Sequence, residues 1–531
     1  MKLGNPKERQ IIFWKNELEA EMKNIELAFK PPFDTTIAEV LSECALQTPD
    51  RVLFDFENFS FTVGQVFKTA SEIRATLFSG GMKSGQTIAT CMDTSPQYIK
   101  LIFALFLSGV KWVPIDPRSR GPSLEHTIRT SQPDLILGDK NSLKYVKELC
   151  FNCKIIENGR WQTESSYILD DFSYRNKCPD NHSLIVFTSG TSGPPKGVIV
   201  TDRMILASAA GTALASDCVY EDNFLLWEPL YHIGGVQALI MALVYGSKLT
   251  LVSRFSASNF WEIASSKSIT KLHYLGGILE ILLSKQVNNE EKRHRIKLAF
   301  GGGCRPEIWR KFTQRFSIPI NEVYGMTEAS SFTTINTAGD IGSCGWAVPW
   351  FNVKILDDSG LSVPLGEVGE IFVESKYPAL LTPGYLNDEE ASSKLYKFNM
   401  LSTGDIGRFL PNGSLQFLGR NSDSLRHKGQ NISAWEVESG LSLCSLVVEC
   451  AVVGVQAKIG EQDIYCFVIP NLKENFELHS LDKWANQNLP PHHVPKYWQL
   501  VDEFPRTPSQ RVRKDLLDVS FTKAETFHVL E

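Results

Sequence analysis

The sequence lacks the features that mark membrane, secreted and nucleic-acid-binding proteins. Its longest apolar runs, such as LIFALFLSGV at residues 101–110, are too short to span a membrane. The first thirty or so residues are charged throughout and hold no apolar core of a secretory signal. The formal net charge of −6 gives no basic excess for nucleic acid. We therefore expect a cytoplasmic protein with no nucleic-acid partner and no stable membrane insertion.

Cysteines at metal-ligand spacing are also lacking. Eleven cysteines are scattered along the chain, and only Cys150 and Cys153 form a C-x-x-C pair. No second pair and no pair of histidines lies nearby to complete a zinc site. We expect free thiols in a reducing compartment rather than disulfides or structural zinc.

The length and the pattern of apolar runs predict an α/β protein with two domains. The 531 residues exceed what one core usually serves, and 43% of them are apolar. LIVFTSG, SKLTLVS and IKLAFGGG are apolar runs that end in Gly or Ser, which is typical of buried parallel strands. Ligand sites gather at the carboxyl ends of such strands. Beyond about residue 413 a polar stretch leads to a further set of strands and a helix, expected from about Leu481, which indicates a smaller α+β domain.

The stretch FTSGTSGPPKG, residues 187–197, follows one of these strands and has the composition of a phosphate-binding loop. Glycines and small hydroxyl residues let backbone N–H groups approach phosphate oxygens, and Lys196 supplies a positive charge. It contains no G-K-[ST] and is not a Walker A loop, and Pro194 occupies the second glycine position of a nucleophile elbow. A flexible Gly/Ser turn is the alternative interpretation.

Several further motifs follow in a fixed order: WVPIDP, PLYHIGG, GGGC, VYGMTE, STGDIG and GRNSDSLRHKGQNISAWEVE. Together with the phosphate loop they resemble the adenylate-forming superfamily, which includes acyl-CoA synthetases, luciferases and the adenylation domains of peptide synthetases. The resemblance runs from about residue 35 to the end of the chain. It implies a helical extension over 1–34, a large AMP-binding domain over 35–421 and a small mobile lid domain over 422–531.

The resemblance also implies a reaction in two steps. A carboxylate attacks the α-phosphate of ATP to give acyl-AMP and pyrophosphate, and a thiol then attacks the acyl carbonyl to give a thioester and AMP. We expect ATP, Mg²⁺ and coenzyme A as cofactors, with a small-molecule carboxylic acid as substrate. An acyl or peptidyl carrier protein is the alternative thiol donor, and a nucleotide-binding relative with weak turnover is a third possibility.

The superfamily motifs assign roles to individual residues of this chain. The residues expected around the phosphates are Thr188, Ser189, Gly190, Thr191, Ser192, Gly193 and Lys196. Those expected around adenine and ribose are Gly301, Gly302, Gly303, Tyr324, Gly325, Asp405 and Arg420. Thr327 is expected at the α-phosphate, and Glu328 is expected to bind Mg²⁺, which prefers oxygen ligands.

The resemblance places a hinge at Ser422, where most members of the superfamily carry Asp or Lys. Rotation about this hinge would bring Lys428, Gly429 and Asn431 to the thiol tunnel. No account of the hinge that depends on a charge carries over to a serine.

The acyl side resembles small and medium-chain ligases of the crotonobetaine/carnitine-CoA ligase type. The residues expected in the acyl pocket are Trp227, Tyr231, His232, Gly234, Gly276 and Gly303. Trp227 and Tyr231 could face a quaternary ammonium group, although ordinary core aromatics are an equal interpretation. His232 is assigned to the acyl and thiol passage, with a structural histidine as the alternative. We expect Glu228, the acid nearest to these aromatics, to lie outside the pocket.

The tail FPRTPSQRVRK at residues 504–514 matches the last motif of the superfamily, in which a lysine enters the site during adenylation. The Gly-Lys pair of that motif is Gln510-Arg511 here. Arginine keeps the charge but differs in bulk and geometry. We predict that Arg511 takes the role of the lysine, with Lys514 as the alternative.

Overall fold

The protein is described from a computed structural model. The described residues are 31, 33–149, 153–157, 178–188, 194–275, 277–287, 289–420, 424–427, 430–457, 462–471, 476–489, 493–507 and 512–525. The predicted helix within 1–34 therefore lies almost wholly outside the described residues.

The strands of the described chain belong to five sheets. In chain order they are β1 Val52–Phe56, β2 Phe59–Thr62, β3 Thr87–Cys91, β4 Lys111–Pro114, β5 Leu135–Gly138, β6 Lys154–Glu157, β7 His182–Thr188, β8 Lys196–Thr201, β9 Asn223–Leu226, β10 Lys248–Leu251, β11 Lys271–Leu275, β12 Leu298–Gly302, β13 Ile320–Met326, β14 Ser331–Asn336, β15 Trp346–Ala347, β16 Phe351–Leu356, β17 Gly369–Ser375, β18 Tyr396–Lys397, β19 Met400–Phe409, β20 Leu415–Arg420, β21 Ser424–His427, β22 Gln430–Ser433, β23 Val447–Gln456, β24 Gln462–Pro470 and β25 Tyr497–Leu500.

The helices alternate with these strands over most of the chain. They are α1 Ile37–Gln47, α2 Val63–Ser79, α3 Pro96–Ser108, α4 Gly121–Ser131, α5 Lys140–Glu148, α6 Asp202–Ser216, α7 Ile233–Tyr245, α8 Phe260–Ser266, α9 Gly277–Ser284, α10 Pro306–Phe316, α11 Glu389–Leu395, α12 Ala434–Leu441 and α13 Leu478–Asn488. No helix of the described residues is long and apolar enough to cross a membrane.

The largest sheet positions most of the candidate site. Its strand order is β15-β14-β13-β12-β11-β9-β10-β1-β2. The strands from β13 to β1 run parallel. At one side β2 pairs with β1 antiparallel, and at the other β14 pairs antiparallel with both β13 and β15. Since parallel strands end at one edge, the loops after β9, β11, β12 and β13 meet there.

A second sheet, in the order β6-β5-β3-β4-β7-β8, carries the phosphate loop between β7 and the antiparallel β8. The main hydrophobic core draws on both sheets and on α1, α2, α3, α6 and α7. Residues 101–108 of the apolar run lie in α3, which is mostly apolar and buried along almost its whole length. The helix begins at Pro96, where the Ser95 hydroxyl accepts from Tyr98 N–H at 3.2 Å, and ends at Gly109 with φ 61°.

Three antiparallel or mixed sheets complete the described structure. One has the order β16-β17-β19-β18 with β20 paired to β19, the second is the β21-β22 hairpin and the third is β23-β24-β25. Helices α12 and α13 pack on the last of these around Val452, Ile464 and Trp498. This is the expected smaller α+β unit.

The expected fold class, a large N-terminal α/β domain with a smaller C-terminal α+β domain, is confirmed. Residues 184–188 of LIVFTSG lie in β7, and the runs SKLTLVS and IKLAFGGG contain β10 and β12. The C-terminal helix begins at Leu478, three residues before the expected Leu481. The ten described cysteines form no disulfide with one another. The expectation of a reducing compartment stays a prediction.

Candidate active site

The loop after β12 is held close to β11 by its glycines and by a buried carboxylate. A Cβ at Gly301 would lie 1.9 Å from the carbonyl oxygen of Tyr274, so no other residue fits there. Glu322 Oε1 accepts from Gly303 N–H at 2.6 Å and from Cys304 N–H at 3.0 Å. The Tyr274 hydroxyl donates to the second oxygen, Oε2. Glu322 therefore fixes the loop that the sequence assigned to adenine.

Burial dominates the electrostatics of Glu322. It raises the pKa of this carboxyl to about 8, against the lowering by its three hydrogen bonds. Glu322 was not among the residues that the sequence motifs assigned to the site. A signal was present, since an acid stands in the mostly buried strand INEVYGM, and a buried carboxyl requires partners.

Tyr324, Asp405 and Arg420, far apart in sequence, meet in one bonded cluster. The Tyr324 hydroxyl donates to Asp405 Oδ2 at 2.7 Å, and Arg420 Nε lies 3.3 Å from Asp405 Oδ1. Asp405 and Arg420 are paired across β19 and β20. Asp405 is 4% exposed. Burial of the Tyr324 side chain and, second, the nearby Asp405 raise the pKa of the Tyr324 hydroxyl. The three residues expected at adenine and ribose are thus brought together.

The expected phosphate and metal residues form a second cluster. The Tyr385 hydroxyl donates to Glu328 Oε1 at 2.9 Å, and Lys196 Nζ lies 5.1 Å from the centroid of the Tyr385 ring. Thr327 and Glu328 share a short 3₁₀ turn directly after β13. The Thr188 hydroxyl donates to the backbone oxygen of Lys196 at 3.5 Å across β7 and β8. Tyr385, which the sequence analysis did not single out, links the carboxylate to the lysine.

Glu328 fits the expected role of an Mg²⁺ ligand. Its side chain is buried, and burial raises the pKa of its carboxyl. A desolvated carboxylate with a single side-chain hydrogen bond is an oxygen ligand that a hard cation would stabilise. Among the described residues, no group of three or more His, Cys, Asp or Glu side chains could hold a metal by itself.

The acyl segment lies where β9 leads into α7. Trp227 is buried and donates from Nε1 to the backbone oxygen of His273 at 2.9 Å. The Tyr231 hydroxyl accepts from Arg118 Nη2 at 2.5 Å. The Tyr231 ring lies 4.7 Å from the half-buried ring of His232, which is the N-cap residue of α7.

Glu228 lies next to Gly234, which the sequence assigned to the acyl pocket: a Cβ built on Gly234 would lie 3.6 Å from Glu228 Cγ. The expectation that Glu228 lies outside the pocket stays a prediction. The same Cβ would lie 4.0 Å from Cε1 of His273, whose Nδ1 is in direct contact with Glu228 Oε1. The pairing joins residues 45 positions apart, which a local pattern does not reveal.

The C-terminal tail is anchored within the smaller α+β unit. Lys514 Nζ lies 2.7 Å from Glu438 Oε1, and Arg506 forms an ion pair with Glu449. Arg506 and Val512, which flank Arg511 in the sequence, form an isolated antiparallel β-bridge.

Some of the expected site residues lie outside the described residues. They are Ser189, Gly190, Thr191, Ser192, Gly193, Gly276, Ser422, Lys428, Gly429, Gln510 and Arg511. Asn431 is described only as a backbone position of β22.

Comparisons with known proteins show the family and the fold. The family model described as AMP-binding enzyme matches residues 41–386, and the one described as AMP-binding enzyme C-terminal domain matches residues 436–511. The 2-succinylbenzoate–CoA ligase of Bacillus mycoides (strain KBAB4) is 27% identical over 487 residues, which covers 91% of this chain and 98% of that protein.

Two solved structures of o-succinylbenzoate CoA synthetase from Bacillus subtilis share the fold. The complex with the acyl-adenylate intermediate has a TM-score of 0.80 at 24% identity and covers 92% of this chain and 99% of that one. The complex with ATP and magnesium ion has a TM-score of 0.80 at 24% identity and covers 90% of this chain and 98% of that one.

Proposed function

Because the chain belongs to the AMP-binding enzyme family, we propose that it is an ATP-dependent carboxylic acid–CoA ligase that works through an acyl-AMP. The superfamily resemblance is confirmed, and the activity that the relatives' names state agrees with the expected class of acid–thiol ligase. One observation carries the proposal: the nucleotide motifs, spread over more than 200 residues, meet in the bonded clusters around Asp405 and Glu328.

In the first step, the acid carboxylate attacks the α-phosphorus of ATP and pyrophosphate leaves. Asp405 would accept from the ribose hydroxyls, and Lys196 would offset the charge of the β- and γ-phosphates. Mg²⁺ bound by Glu328 would supply further charge neutralisation at the phosphates. In the second step, the CoA sulfur attacks the acyl carbonyl, AMP leaves and the thiol proton is released.

Mass spectrometry of the products from ATP, Mg²⁺, CoA and a pooled acid library tests this function. We expect AMP, pyrophosphate and an acyl-CoA. Acyl-AMP that is transferred only to a phosphopantetheinyl carrier protein would favour the carrier-loading alternative. ATP binding without AMP formation with any acid would favour the nucleotide-binding relative with weak turnover.

The acid is proposed to be small or medium-sized. The finer resemblance to crotonobetaine/carnitine–CoA ligases stays a hypothesis, since the relatives reported above are named for 2-succinylbenzoate. A pyrophosphate-release panel should therefore include crotonobetaine, carnitine, 2-succinylbenzoate and fatty acids of increasing length. Turnover restricted to long-chain fatty acids would contradict the proposed size.

We also propose the boundaries 1–34, 35–421 and 422–531 for the extension, the AMP-binding domain and the lid. The two family matches fall on either side of the boundary at 421, which supports it. If the hinge at residue 422 is exposed to solvent, limited proteolysis should cut the chain close to it and separate the AMP-binding domain from the lid.

Arg511 is proposed to take the role of the superfamily's adenylation lysine. The ion pair of Lys514 with Glu438, in which both side chains are mostly buried, supports this choice over Lys514. Arg511→Ala should slow acyl-AMP formation by roughly 10²-fold or more, while thioester formation from supplied acyl-AMP stays close to the native rate. Lys514→Ala is the matched control, and the reverse outcome in the two variants would reassign the role.

A further inference from the structure

His126 in α4 forms a hydrogen bond with the phosphate loop. Its Nε2 lies 2.9 Å from the backbone oxygen of Pro195, a residue 69 positions away in the sequence. Because a carbonyl oxygen only accepts, the ring nitrogen is the donor. The accepting oxygen belongs to the peptide unit that joins Pro195 to Lys196. The histidine therefore contacts the backbone directly before the lysine that is expected at the β- and γ-phosphates.

The part of the phosphate loop that accepts this hydrogen bond is stiff. Pro194 and Pro195 are consecutive, and each proline ring holds its φ at about −65°. A residue before proline is also confined to extended conformations, so Pro194 has little freedom in ψ. The dihedral angle left between the second ring and Lys196 is ψ of Pro195, and a hydrogen bond to the Pro195 carbonyl restrains it. The backbone of Lys196 is thereby positioned from α4.

The backbone after this peptide unit is held by other elements. Lys196 begins β8, and the Thr188 hydroxyl of β7 donates to its backbone oxygen at 3.5 Å. Leu386 N–H donates to the backbone oxygen of Gly197 at 2.8 Å. Hydrogen bonds from three separate segments thus converge on the backbone around Lys196, and the one from His126 acts on the side of the phosphate loop.

A second hydrogen bond joins α4 to the segment that carries Tyr385. Asn387 Nδ2 donates to the backbone oxygen of Thr130 at 2.7 Å. Thr130 lies in the last turn of α4, where carbonyl groups lack partners within a helix. Asn387 follows two residues after Tyr385, whose ring centroid lies 5.1 Å from Lys196 Nζ. One turn of α4, from His126 to Thr130, therefore contacts both segments that build the surroundings of Lys196.

The helix is anchored independently of His126. Leu124 and Ile128 of α4 are buried in the same hydrophobic cluster as Ile185 of β7 and Ile199 of β8. His126 is half-buried and lies between these two apolar residues in the sequence. Because the anchoring contacts are apolar and come from its neighbours, replacement of the imidazole should leave α4 in place.

We propose that His126 is a positioning residue for adenylation, whose hydrogen bond to the Pro195 carbonyl holds Lys196 where the β- and γ-phosphates of ATP bind. This inference rests on the proposed function and adds a residue of α4 to the machinery of its first step. His126 acts through the backbone and does not touch the nucleotide. Because AMP and acyl-AMP lack the β- and γ-phosphates, His126 should matter for ATP binding and adenylation and not for thioester formation.

Binding of ATP and of AMP to the full chain, measured by calorimetry with Mg²⁺ and without acid or CoA, tests this role without turnover. His126→Phe keeps a ring of similar size and removes the donor. It should weaken ATP binding roughly three- to tenfold, as expected for the loss of one hydrogen bond, and leave AMP binding unchanged. His126→Gln supplies an amide N–H on a side chain of similar reach and should bind ATP more tightly than His126→Phe.

His294→Phe is the matched control. His294 is also half-buried, and its Nε2 lies 3.1 Å from the backbone oxygen of Phe316 at the end of α10. Its Nδ1 accepts from Ile296 N–H at 3.1 Å. The control therefore removes at least as many hydrogen bonds as His126→Phe, but away from the phosphate loop. It should keep the native ratio of ATP affinity to AMP affinity, whatever its thermal midpoint.

Equal weakening of ATP and AMP binding in His126→Phe would show a merely structural role and overturn the proposal, and so would an unchanged affinity for ATP. A His126→Gln variant that binds ATP no better than His126→Phe would refute the hydrogen bond as the cause. These outcomes are separable from failure of the proposed function. In that case no acid would yield a thioester with CoA, while the ratio of ATP to AMP affinity would still report on His126.

Discussion

The nucleotide side and the acyl side of the candidate site differ in how their polar groups are used. Around the expected adenine and ribose positions, Glu322 and Tyr324 bond to other groups of the protein. On the acyl side, Glu228 and His273 contact each other, and neither Glu228 Oε2 nor His273 Nε2 makes a hydrogen bond within the described residues. Hydrogen bonds within the protein thus hold Glu322 and Tyr324 in place before a ligand binds, whereas the Glu228–His273 pair has no such support.

Asp405→Ala should have the largest effect on the nucleotide side. It removes the acceptor of the Tyr324 hydroxyl and the partner of Arg420, together with the proposed ribose contact. We expect a loss of about 3–4 kcal/mol, or roughly 10²- to 10³-fold in kcat/KM for ATP, measured by pyrophosphate exchange. The loss should be the same with every acid.

Asp463→Ala is the control for Asp405→Ala, since Asp463 is a buried carboxylate paired with Lys496 at 2.7 Å in β24. It should leave KM for ATP unchanged. If Asp405→Ala changed the order in which acids are preferred, the nucleotide side would also influence the choice of acid, and the two sides would not act independently.

Through Glu322, the free energy of unfolding should depend on pH. The pKa of its carboxyl is about 8 in the folded protein and near 4.5 when unfolded, so the folded state binds the extra proton between these values. Its contribution to stability is fully present below the unfolded pKa and is lost as pH rises through about 8. From pH 5 to pH 8 this contribution to the free energy of unfolding should fall by on the order of 3 kcal/mol.

Glu322→Gln removes this titration and keeps the acceptor for Gly303 and Cys304. The difference in free energy of unfolding between wild type and variant, from denaturation at several pH values, should shift in favour of the variant as pH rises. A difference that is constant between pH 5 and pH 8 would contradict the raised pKa.

Tyr385→Phe tests the link between Glu328 and Lys196. The hydroxyl donates to the carboxylate at 2.9 Å, while the ring that faces Lys196 is retained in Phe. Loss of one hydrogen bond to a carboxylate should cost about 1.5–3 kcal/mol, seen as a higher Mg²⁺ concentration for half-maximal adenylation. Tyr396→Phe, whose hydroxyl donates to the backbone of Thr382, is the matched control.

The sequence predicted strands better than contacts between distant residues, for a physical reason. Strands and phosphate-binding segments have local signals, namely apolar runs that end in glycine, and these gave β7, β10 and β12. Tyr385 acts on a carboxylate 57 positions away, and Glu228 acts on a histidine 45 positions away. Such pairings arise from packing of the sheet edge, so no window of sequence contains both partners.

Tyr231→Phe should have the smallest effect and probes the outer part of the acyl side. It removes the hydroxyl that accepts from Arg118 at 2.5 Å, but Arg118 keeps its ion pair with Asp116 at 3.1 Å. Since one partner of a half-exposed arginine is lost and another is kept, the cost should be about 1 kcal/mol, or a roughly fivefold rise in KM for the acid. KM for ATP should not change. If KM for the acid and KM for ATP rose together, Tyr231 would influence the nucleotide side as well. The two sides of the site would then not be independent at this residue.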